Sequence, residues 1–239
     1  MLFGHRGSRT SAPENTLAAI AIAVDADAYG VEIDVRPCAD GEMVVFHDPT
    51  LERVTDKADK RTIAALSLSE LRAIDLGGGA RIPTLREVLA YCRDHSLALN
   101  VELKRDVPNR RAAVIAAARA LRSFQLRSEL WVSSFDPIML GGFHVLAPTL
   151  RIGLLLAHKD KISRRLTPVA RPLGASNIHP EHTLVDAARL SAWRAKRLRV
   201  VTWTVNEPDR IAELAAMNVD AIITDDPAMA KAALERTRN

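Results

Sequence analysis

Short apolar runs alternate with longer Ala- and Leu-rich segments from one end of the chain to the other. The short runs are rich in β-branched residues, which predicts strands, whereas the longer segments show the three-to-four-residue apolar spacing of helices. The eight predicted strands lie at 2–5, 29–35, 97–103, 130–135, 151–157, 175–179, 199–205 and 220–225. The eight predicted helices lie at 15–28, 84–95, 108–123, 136–146, 159–170, 182–196, 207–217 and 227–237.

This regular alternation of strands and helices predicts a parallel sheet, because each crossover helix returns the chain to the same end of the sheet. Eight such units in 239 residues fit a closed (β/α)₈ TIM barrel better than an open, doubly wound sheet. No glycine-rich dinucleotide-binding sequence follows the first strand, which also weighs against the open sheet. We therefore predict an α/β fold in which residues 1–239 form a single TIM barrel domain.

The connection between the second strand and the second helix is too long for a simple loop. It contains a further strand-like run at 42–47 and a short helical segment at 67–75. This segment opens with Ser67 and Glu70, the S-x-x-E pattern of a capping box. We predict a small insertion at about 48–80, placed at the C-terminal mouth of the barrel, where loops build active sites.

The composition is typical of a soluble globular protein, with 48% hydrophobic and 26% charged residues. The longest apolar runs, such as IGLLLA at 152–157, are too short to cross a bilayer, so stable membrane insertion is not expected. The opening sequence MLFGHRG is polar by its fifth residue, unlike a signal peptide. The two cysteines form no CxxC pattern, which argues against a disulfide scaffold or a zinc site. These features predict a cytoplasmic protein.

The charge balance points to small anionic partners rather than to nucleic acid. The formal net charge is +4, and no stripe of interleaved basic and aromatic residues accompanies it. Scattered apolar positions on predicted surfaces would suit a homodimer, but their periodicity does not determine the oligomeric state.

Three carboxylates come from two neighbouring predicted strands. Glu32 and Asp34 are two residues apart in the run GVEIDVRP at 30–37, so both side chains point to one face of the strand. Glu102 ends the next strand in LNVELK. Carboxylates in a buried strand cost several kcal/mol each, by order of magnitude, unless they are paired or bind a cation. A set of oxygen ligands without cysteine suits Mg²⁺ or Ca²⁺ better than zinc.

An alternative explanation of the carboxylates is a set of ion pairs, and the sequence leaves it open. The cations that would form these pairs are Arg6, Arg36 and Lys104. Each of the three lies near the end of a predicted strand, as the carboxylates do.

Other polar residues at strand ends predict phosphoester chemistry. His5 and His47 suit general acid–base catalysis, since the pKa of imidazole lies near neutrality. Arg6 offers a planar fork for phosphate oxygens, and Lys104 offers a point charge. A cation, two imidazoles and two basic side chains together are typical of a site that cleaves a phosphoester.

Seven stretches, in order along the chain, resemble the glycerophosphodiester phosphodiesterase family. They are GHRGSRTSAPENTLAAI (4–20), GVEIDV (30–35), DGEMVVFHDPTLERVTD (40–56), IPTLREVL (82–89), LNVELK (99–104), VTWTVNE (201–207) and ITDDP (223–227). The resemblance implies a TIM barrel that hydrolyses a glycerophosphodiester, a small molecule, to glycerol 3-phosphate and an alcohol. It assigns one divalent cation to Glu32, Asp34 and Glu102, acid–base catalysis to His5 and His47, phosphate binding to Arg6 and Lys104, and the substrate side of the mouth to Trp203. Glu14 and Asn15 are interpreted mainly as structural residues of the first loop.

Several alternatives remain open from the sequence. They concern which histidine is the acid, whether water or the glycerol 2-hydroxyl attacks phosphorus, which alcohol is preferred, and whether the cation is Mg²⁺ or Ca²⁺. A phospholipase-type barrel acting on lipid phosphodiesters is the nearest rival function. An aldolase that uses Lys104 as a Schiff base is a more distant one, and it leaves the three carboxylates unexplained.

Overall fold

The computed structural model describes residues 1–124, 129–159 and 167–236. The strands within these ranges are β1 (Leu2–His5), β2 (Gly30–Pro37), β3 (Met43–Val45), β4 (Ala98–Leu103), β5 (Leu130–Ser134), β6 (Arg151–Leu156), β7 (Asn177–Pro180), β8 (Arg199–Thr202) and β9 (Ala221–Thr224). Their order in the sheet is β1-β9-β8-β7-β6-β5-β4-β2-β3, and β1 also pairs with β2. That pairing closes eight parallel strands into a ring, which confirms the predicted (β/α)₈ barrel.

The helices of the described residues surround this ring. They are α1 (Leu17–Asp25), α2 (Leu68–Ala73), α3 (Leu85–Asp94), α4 (Arg110–Arg122), α5 (Pro137–Leu146), α6 (Ala187–Ala195), α7 (Pro208–Ala216) and α8 (Pro227–Arg236). None of these described helices has the length and apolar character that a bilayer crossing requires. The helix predicted over 159–170 falls mainly on 160–166, outside the described residues.

One helix starts later than predicted. The prediction placed a helix over 182–196, but residues 182–184 form a short 3₁₀ turn and α6 begins only after Asp186. The Asp186 carboxylate accepts a hydrogen bond from the backbone N–H of Arg189, 2.8 Å away. This capping bond satisfies a free N–H group of the first helical turn and therefore sets the start of α6.

The long connection between β2 and α3 begins with a hairpin, ahead of the predicted insertion, that places His47 at the mouth. β3 pairs antiparallel with the end of β2, and Val45 lies opposite Val35. The capping box of Ser67 and Glu70 opens α2, as predicted. The segment packs around a small apolar cluster of its own, made by Cys38, Val44, Phe46, Leu51, Ile63, Leu66, Leu71 and Ile82. This cluster holds the hairpin against the barrel rim.

The barrel interior encloses a histidine without a polar partner. His179 on β7 is fully buried, and its ring meets Trp131 edge-on, with 6.2 Å between the ring centroids. Neither ring nitrogen has a hydrogen-bond partner among the described residues. Gly153 on the neighbouring strand β6 makes room for the imidazole, because a Cβ atom at this position would clash with the ring. Burial lowers the pKa of His179 to about 3.

This buried histidine predicts a stability loss in mild acid. Below pH 6.5 the unfolded chain protonates His179 while the folded chain keeps it neutral, so unfolding takes up a proton. Between pH 6.5 and 3 the free energy of unfolding should fall by about 1.4 kcal/mol per pH unit from this residue. Urea denaturation at pH 7 and pH 5 should show a shallower pH dependence for His179→Leu than for the unsubstituted protein. Equal pH dependence of the two proteins would contradict this.

Candidate active site

Three carboxylates converge at the C-terminal mouth of the barrel. β2 supplies Glu32 and Asp34, and β4 supplies Glu102, which is the register partner of Asp34. One carboxylate oxygen from each of the three lies within 4.8 Å of the others. Glu32 and Asp34 are almost fully buried. The structure therefore brings together the three residues that the sequence singled out as cation ligands.

The two carboxylates of β2 experience opposite electrostatic environments. Burial raises the pKa of Glu32 well above its ordinary value, and the charges of Asp34 and Glu102 raise it further. Burial would also raise the pKa of Asp34, but Lys104 and Arg6 outweigh it and hold that pKa well below the usual range. The nearby basic side chains thus stabilise mainly the ionised form of Asp34. Ionised Glu32 is buried without comparable stabilisation.

Ion pairs account for only part of the cluster. Arg6 Nε lies 3.0 Å from Asp34, and Lys104 Nζ lies 2.9 Å from Glu102 and 3.3 Å from Asp34. In the part of the chain that the structure describes, no arginine or lysine forms an ion pair with Glu32. A divalent cation would supply the missing positive charge, and the oxygen-only donor set suits Mg²⁺ or Ca²⁺.

Arg36, the third cation considered from the sequence, does not join the carboxylate cluster. Its guanidinium donates to the backbone carbonyls of Phe46 and His47, and it pairs with Asp106 at 3.1 Å. Arg36 therefore holds the end of the hairpin that carries His47. The alternative explanation, in which Arg36 pairs with the three carboxylates, is wrong.

The loop between β1 and α1 orients Asp34. Asn15 has φ of 60° and makes two hydrogen bonds to Asp34. Asn15 Nδ2 donates to Asp34 Oδ2 at 2.9 Å, and Asn15 Oδ1 accepts from the Asp34 backbone N–H at 3.2 Å. Glu14, the preceding residue, accepts from Arg6 at 2.8 Å and also from Arg53. Both residues thus hold the first loop against the carboxylate cluster.

The two candidate histidines have the same hydrogen-bonding arrangement. His5 Nδ1 lies 2.6 Å from Asp225, and His47 Nδ1 lies 2.6 Å from Asp48. In each ring the carboxylate engages Nδ1 and leaves Nε2 for the cavity. His5 Nε2 lies 3.9 Å from Glu32. A carboxylate on Nδ1 fixes the tautomer and stabilises the protonated ring when it forms.

Asp225 is itself held in place by a residue that the sequence interpretation missed. Asn206 donates to Asp225 Oδ2 at 2.8 Å and accepts from its backbone N–H at 3.0 Å. It also accepts from the hydroxyl of Thr224 at 3.2 Å. Asn206 lies in the motif VTWTVNE and Asp225 in the motif ITDDP. Their hydrogen bonds are visible only in the folded barrel.

A cavity of about 400 Å³ opens above these groups. All eight predicted site residues except Asp34 line it. Phe135, Leu155 and Ile223 add an apolar wall that was not predicted. Trp203 meets Phe135 edge-on, with ring centroids 5.7 Å apart, and its indole N–H donates to the carbonyl of His179. Two carboxylates, two imidazoles and two basic side chains therefore share one pocket with an apolar side.

Comparison with known proteins identifies the family. Residues 5–229 match the model of the Glycerophosphoryl diester phosphodiesterase family. The chain belongs to this family. Its glycerophosphodiester phosphodiesterase relative from Caldanaerobacter subterraneus is 29% identical over 238 residues, covering 95% of this chain and 94% of the relative. The resemblance found in the sequence motifs is thereby confirmed.

Solved structures of family members have the same fold. A glycerophosphoryl diester phosphodiesterase from Silicibacter pomeroyi superposes with a TM-score of 0.89 and 29% identity, covering 99% of this chain and 93% of that one. A phosphodiesterase from Oleispira antarctica, in complex with its product sn-glycerol-3-phosphate, superposes with a TM-score of 0.88 and 27% identity. This second superposition covers 98% of the present chain and 96% of the Oleispira chain.

Proposed function

We propose that this phosphodiesterase hydrolyses glycerophosphodiesters to glycerol 3-phosphate and an alcohol, with one divalent cation and two histidines as the acid–base pair. The observation that carries the proposal is the shared cavity. Three carboxylates, two of them buried, lie beside two imidazoles whose Nε2 atoms are left for the same space. The product complex of the Oleispira relative supports the choice of glycerol 3-phosphate as the product.

The phosphate group would bind between the carboxylate cluster and two cationic side chains. Glu32, Asp34 and Glu102 would hold Mg²⁺ or Ca²⁺, which neutralises charge on a phosphate oxygen when bound. Arg6 and Lys104 line the same cavity, and the surrounding carboxylates raise the pKa of each above its ordinary value although burial opposes this. Both side chains are therefore permanently charged and stabilise negative charge that develops on the phosphoryl oxygens.

The two histidines would move the protons. One neutral imidazole accepts a proton from the attacking hydroxyl through Nε2, and the other, protonated, donates a proton to the leaving alcohol oxygen. Asp225 and Asp48 position the rings through Nδ1.

The rim of the cavity argues against the phospholipase-type rival. Such an enzyme needs exposed apolar residues around its mouth to meet lipid chains. Leu66 and Leu71 of the insertion are buried in its own cluster. The large apolar residues that the described chain exposes are Met1, Tyr29, Ile115, Ile138, Val145 and Val169, none of which lines the cavity. The mouth therefore suits a water-soluble diester.

The surroundings of Lys104 argue against an aldolase. A Schiff-base lysine needs a neutral amine and hence a lowered pKa. Lys104 contacts Glu102 and Asp34, which keep its pKa above the ordinary value against the effect of burial. Its ammonium group is suited to binding phosphate rather than attacking a carbonyl.

Product analysis tests the proposed function. Glycerophosphocholine incubated with enzyme and Mg²⁺ or Ca²⁺ should give glycerol 3-phosphate and choline by ³¹P NMR, while an intact phosphatidylcholine should remain uncleaved. Borohydride treatment in the presence of a carbonyl substrate should leave no trapped adduct. Cleavage of the lipid at a higher rate, or a trapped adduct at Lys104, would contradict the proposal.

The carboxylate behind each histidine gives a further prediction. Asp225→Asn should lower kcat by roughly 10- to 100-fold with little change in KM, because the amide no longer stabilises the protonated His5 ring. The pH–rate profile should shift as well, which a loss of packing alone would not cause. Asp27→Asn is the control, since Asp27 pairs with Lys231 on the surface. An unchanged kcat and pH profile in Asp225→Asn would rule out this positioning role.

A further inference from the structure

A chain of ion pairs connects the carboxylate behind one histidine to the carboxylate behind the other. At one end, Arg53 Nε lies 2.5 Å from Asp48 Oδ2, while the other oxygen of Asp48 contacts His47. Arg53 Nη2 lies 2.5 Å from Glu14 Oε1. Asp48 follows the strand β3, whereas Glu14 belongs to the loop between β1 and α1. One guanidinium therefore joins two carboxylates from separate segments of the chain.

Arg9 extends this chain from Glu14 to the other histidine. Its Nη2 lies 3.3 Å from Glu14 Oε2, and its Nε lies 3.8 Å from Asp225 Oδ1, the oxygen that contacts His5. Neither Arg9 nor Arg53 lines the catalytic cavity, so contact with the substrate does not explain them. We call the complete chain of ion pairs the mouth bridge, and its members in order are Asp225, Arg9, Glu14, Arg53 and Asp48.

The mouth bridge joins carboxylates that are mostly buried to arginines that reach them from the surface. The three carboxylate side chains are at most 20% exposed, whereas the side chain of Arg53 is 48% exposed. Ion pairs of exposed side chains contribute little to stability. A mostly buried carboxylate, in contrast, is costly unless a cation compensates it. The arginines therefore fix the carboxylates in place and contribute little to the stability of the fold.

We propose that Arg53 and Arg9 are positioning residues that hold the two histidine–carboxylate pairs in the geometry of proton transfer. The inference rests on the proposed function and adds two residues to it. Asp48 uses one oxygen for His47 and the other for Arg53, so its carboxylate cannot turn away from the ring. Acid–base catalysis depends on such a fixed orientation, because the proton must move along a short hydrogen bond.

The two ends of the mouth bridge should not contribute equally. Asp225 also accepts a hydrogen bond from Asn206, whereas Asp48 has, besides its histidine, only Arg53 as a side-chain partner among the described residues. The contacts of Arg9 are also longer than those of Arg53. We therefore expect a larger effect on catalysis at Arg53 than at Arg9.

Steady-state kinetics on glycerophosphocholine with Mg²⁺ tests the inference. Arg53→Ala should lower kcat roughly tenfold without changing KM, which is part of what general acid–base catalysis contributes. Arg9→Ala should lower kcat by a smaller factor. Arg61→Ala is the matched control, because Arg61 lies in the same insertion, is similarly exposed and pairs with Asp59 away from the cavity. The control should keep its kcat, and all three variants should keep the urea midpoint of the unsubstituted protein.

A double-mutant cycle shows whether Arg53 acts through Asp48. Asp48→Asn should lower kcat at least as much as Arg53→Ala does. The double variant should lose no more than Asp48→Asn alone, because the arginine then has no carboxylate behind His47 to hold. Arg9→Ala combined with Asp225→Asn should behave in the same way.

The outcomes separate this inference from the proposed function. Full kcat in Arg53→Ala, a raised KM with unchanged kcat, or losses that multiply in its double variant would overturn the inference and leave the phosphodiesterase activity standing. Losses that multiply in the pair of Arg9 and Asp225 would overturn it too, even if Arg53→Ala does not fold. Failure of the unsubstituted enzyme to hydrolyse glycerophosphocholine with Mg²⁺ or Ca²⁺ would refute the proposed function, and the inference with it.

Discussion

Glu32→Gln is expected to lower kcat/KM for a glycerophosphodiester by about a thousandfold, and Mg²⁺ should no longer stabilise the variant. The substitution removes one of the three carboxylates that would hold the cation, and such a cation contributes several kcal/mol to transition-state stabilisation. Glu32 is the best of the three to change, because among the described residues no arginine or lysine pairs with it. The backbone N–H of Arg6, 3.2 Å from Glu32, can still donate to the glutamine carbonyl.

The same variant has a second expected effect that separates cation binding from folding. Without added metal, Glu32→Gln should be at least as stable as the unsubstituted protein, since it relieves repulsion from Asp34 and Glu102. Thermal unfolding with and without Mg²⁺ measures both effects. Glu42→Gln, which changes an exposed carboxylate between β2 and β3, should behave as the unsubstituted protein. Retained activity and retained Mg²⁺ stabilisation in Glu32→Gln would show that the cation site lies elsewhere.

His5→Gln and His47→Gln are each expected to lower kcat by 10²- to 10⁴-fold, the order of magnitude that general acid–base catalysis contributes. Both imidazoles line the cavity with Nδ1 held by a carboxylate, so glutamine removes the proton transfer and keeps a polar group in place. The double variant should lose much less than the product of the two single losses, because groups that act on one transition state are not additive. Steady-state kinetics on a single glycerophosphodiester measures all three variants.

Cation binding distinguishes a catalytic from a structural role of these histidines. Calorimetry should show that both single variants bind Mg²⁺ as the unsubstituted enzyme does. His95→Gln, at an exposed position after α3, should leave kcat unchanged. A histidine variant that keeps full activity, or one that loses Mg²⁺ binding in proportion to its activity, would contradict the assigned role.

Much of the barrel was predictable because parallel strands have a simple sequence pattern. Each strand is short and apolar, and the eight lie within a few residues of their predicted positions. The start of α6 was not predictable from periodicity, since residues 182–184 fit the apolar spacing of the helix that follows. The start of α6 is set by the hydrogen bond from Arg189 N–H to the Asp186 carboxylate. The spacing of apolar residues does not reveal such a capping bond.

The candidate site was predictable only as far as its motifs extend. Alternation along β2 placed Glu32 and Asp34 on one face, and the next strand brought Glu102 beside them. The pairing of His5 with Asp225 was not predictable, because these residues are 220 positions apart and meet only where β9 closes on β1. Arg36 was considered a partner of the carboxylates because it lies near the end of a predicted strand, but its guanidinium reaches Asp106 instead.

The dependence of activity on a divalent cation tests the account most directly. Enzyme stripped with a chelator and assayed on glycerophosphocholine should release no glycerol 3-phosphate, and addition of Mg²⁺ or Ca²⁺ should restore the activity at about one cation per chain. Glu32→Gln should remain inactive under the same addition. Full activity of the stripped enzyme without added cation would contradict the central claim that Glu32, Asp34 and Glu102 hold the cation for phosphodiester hydrolysis.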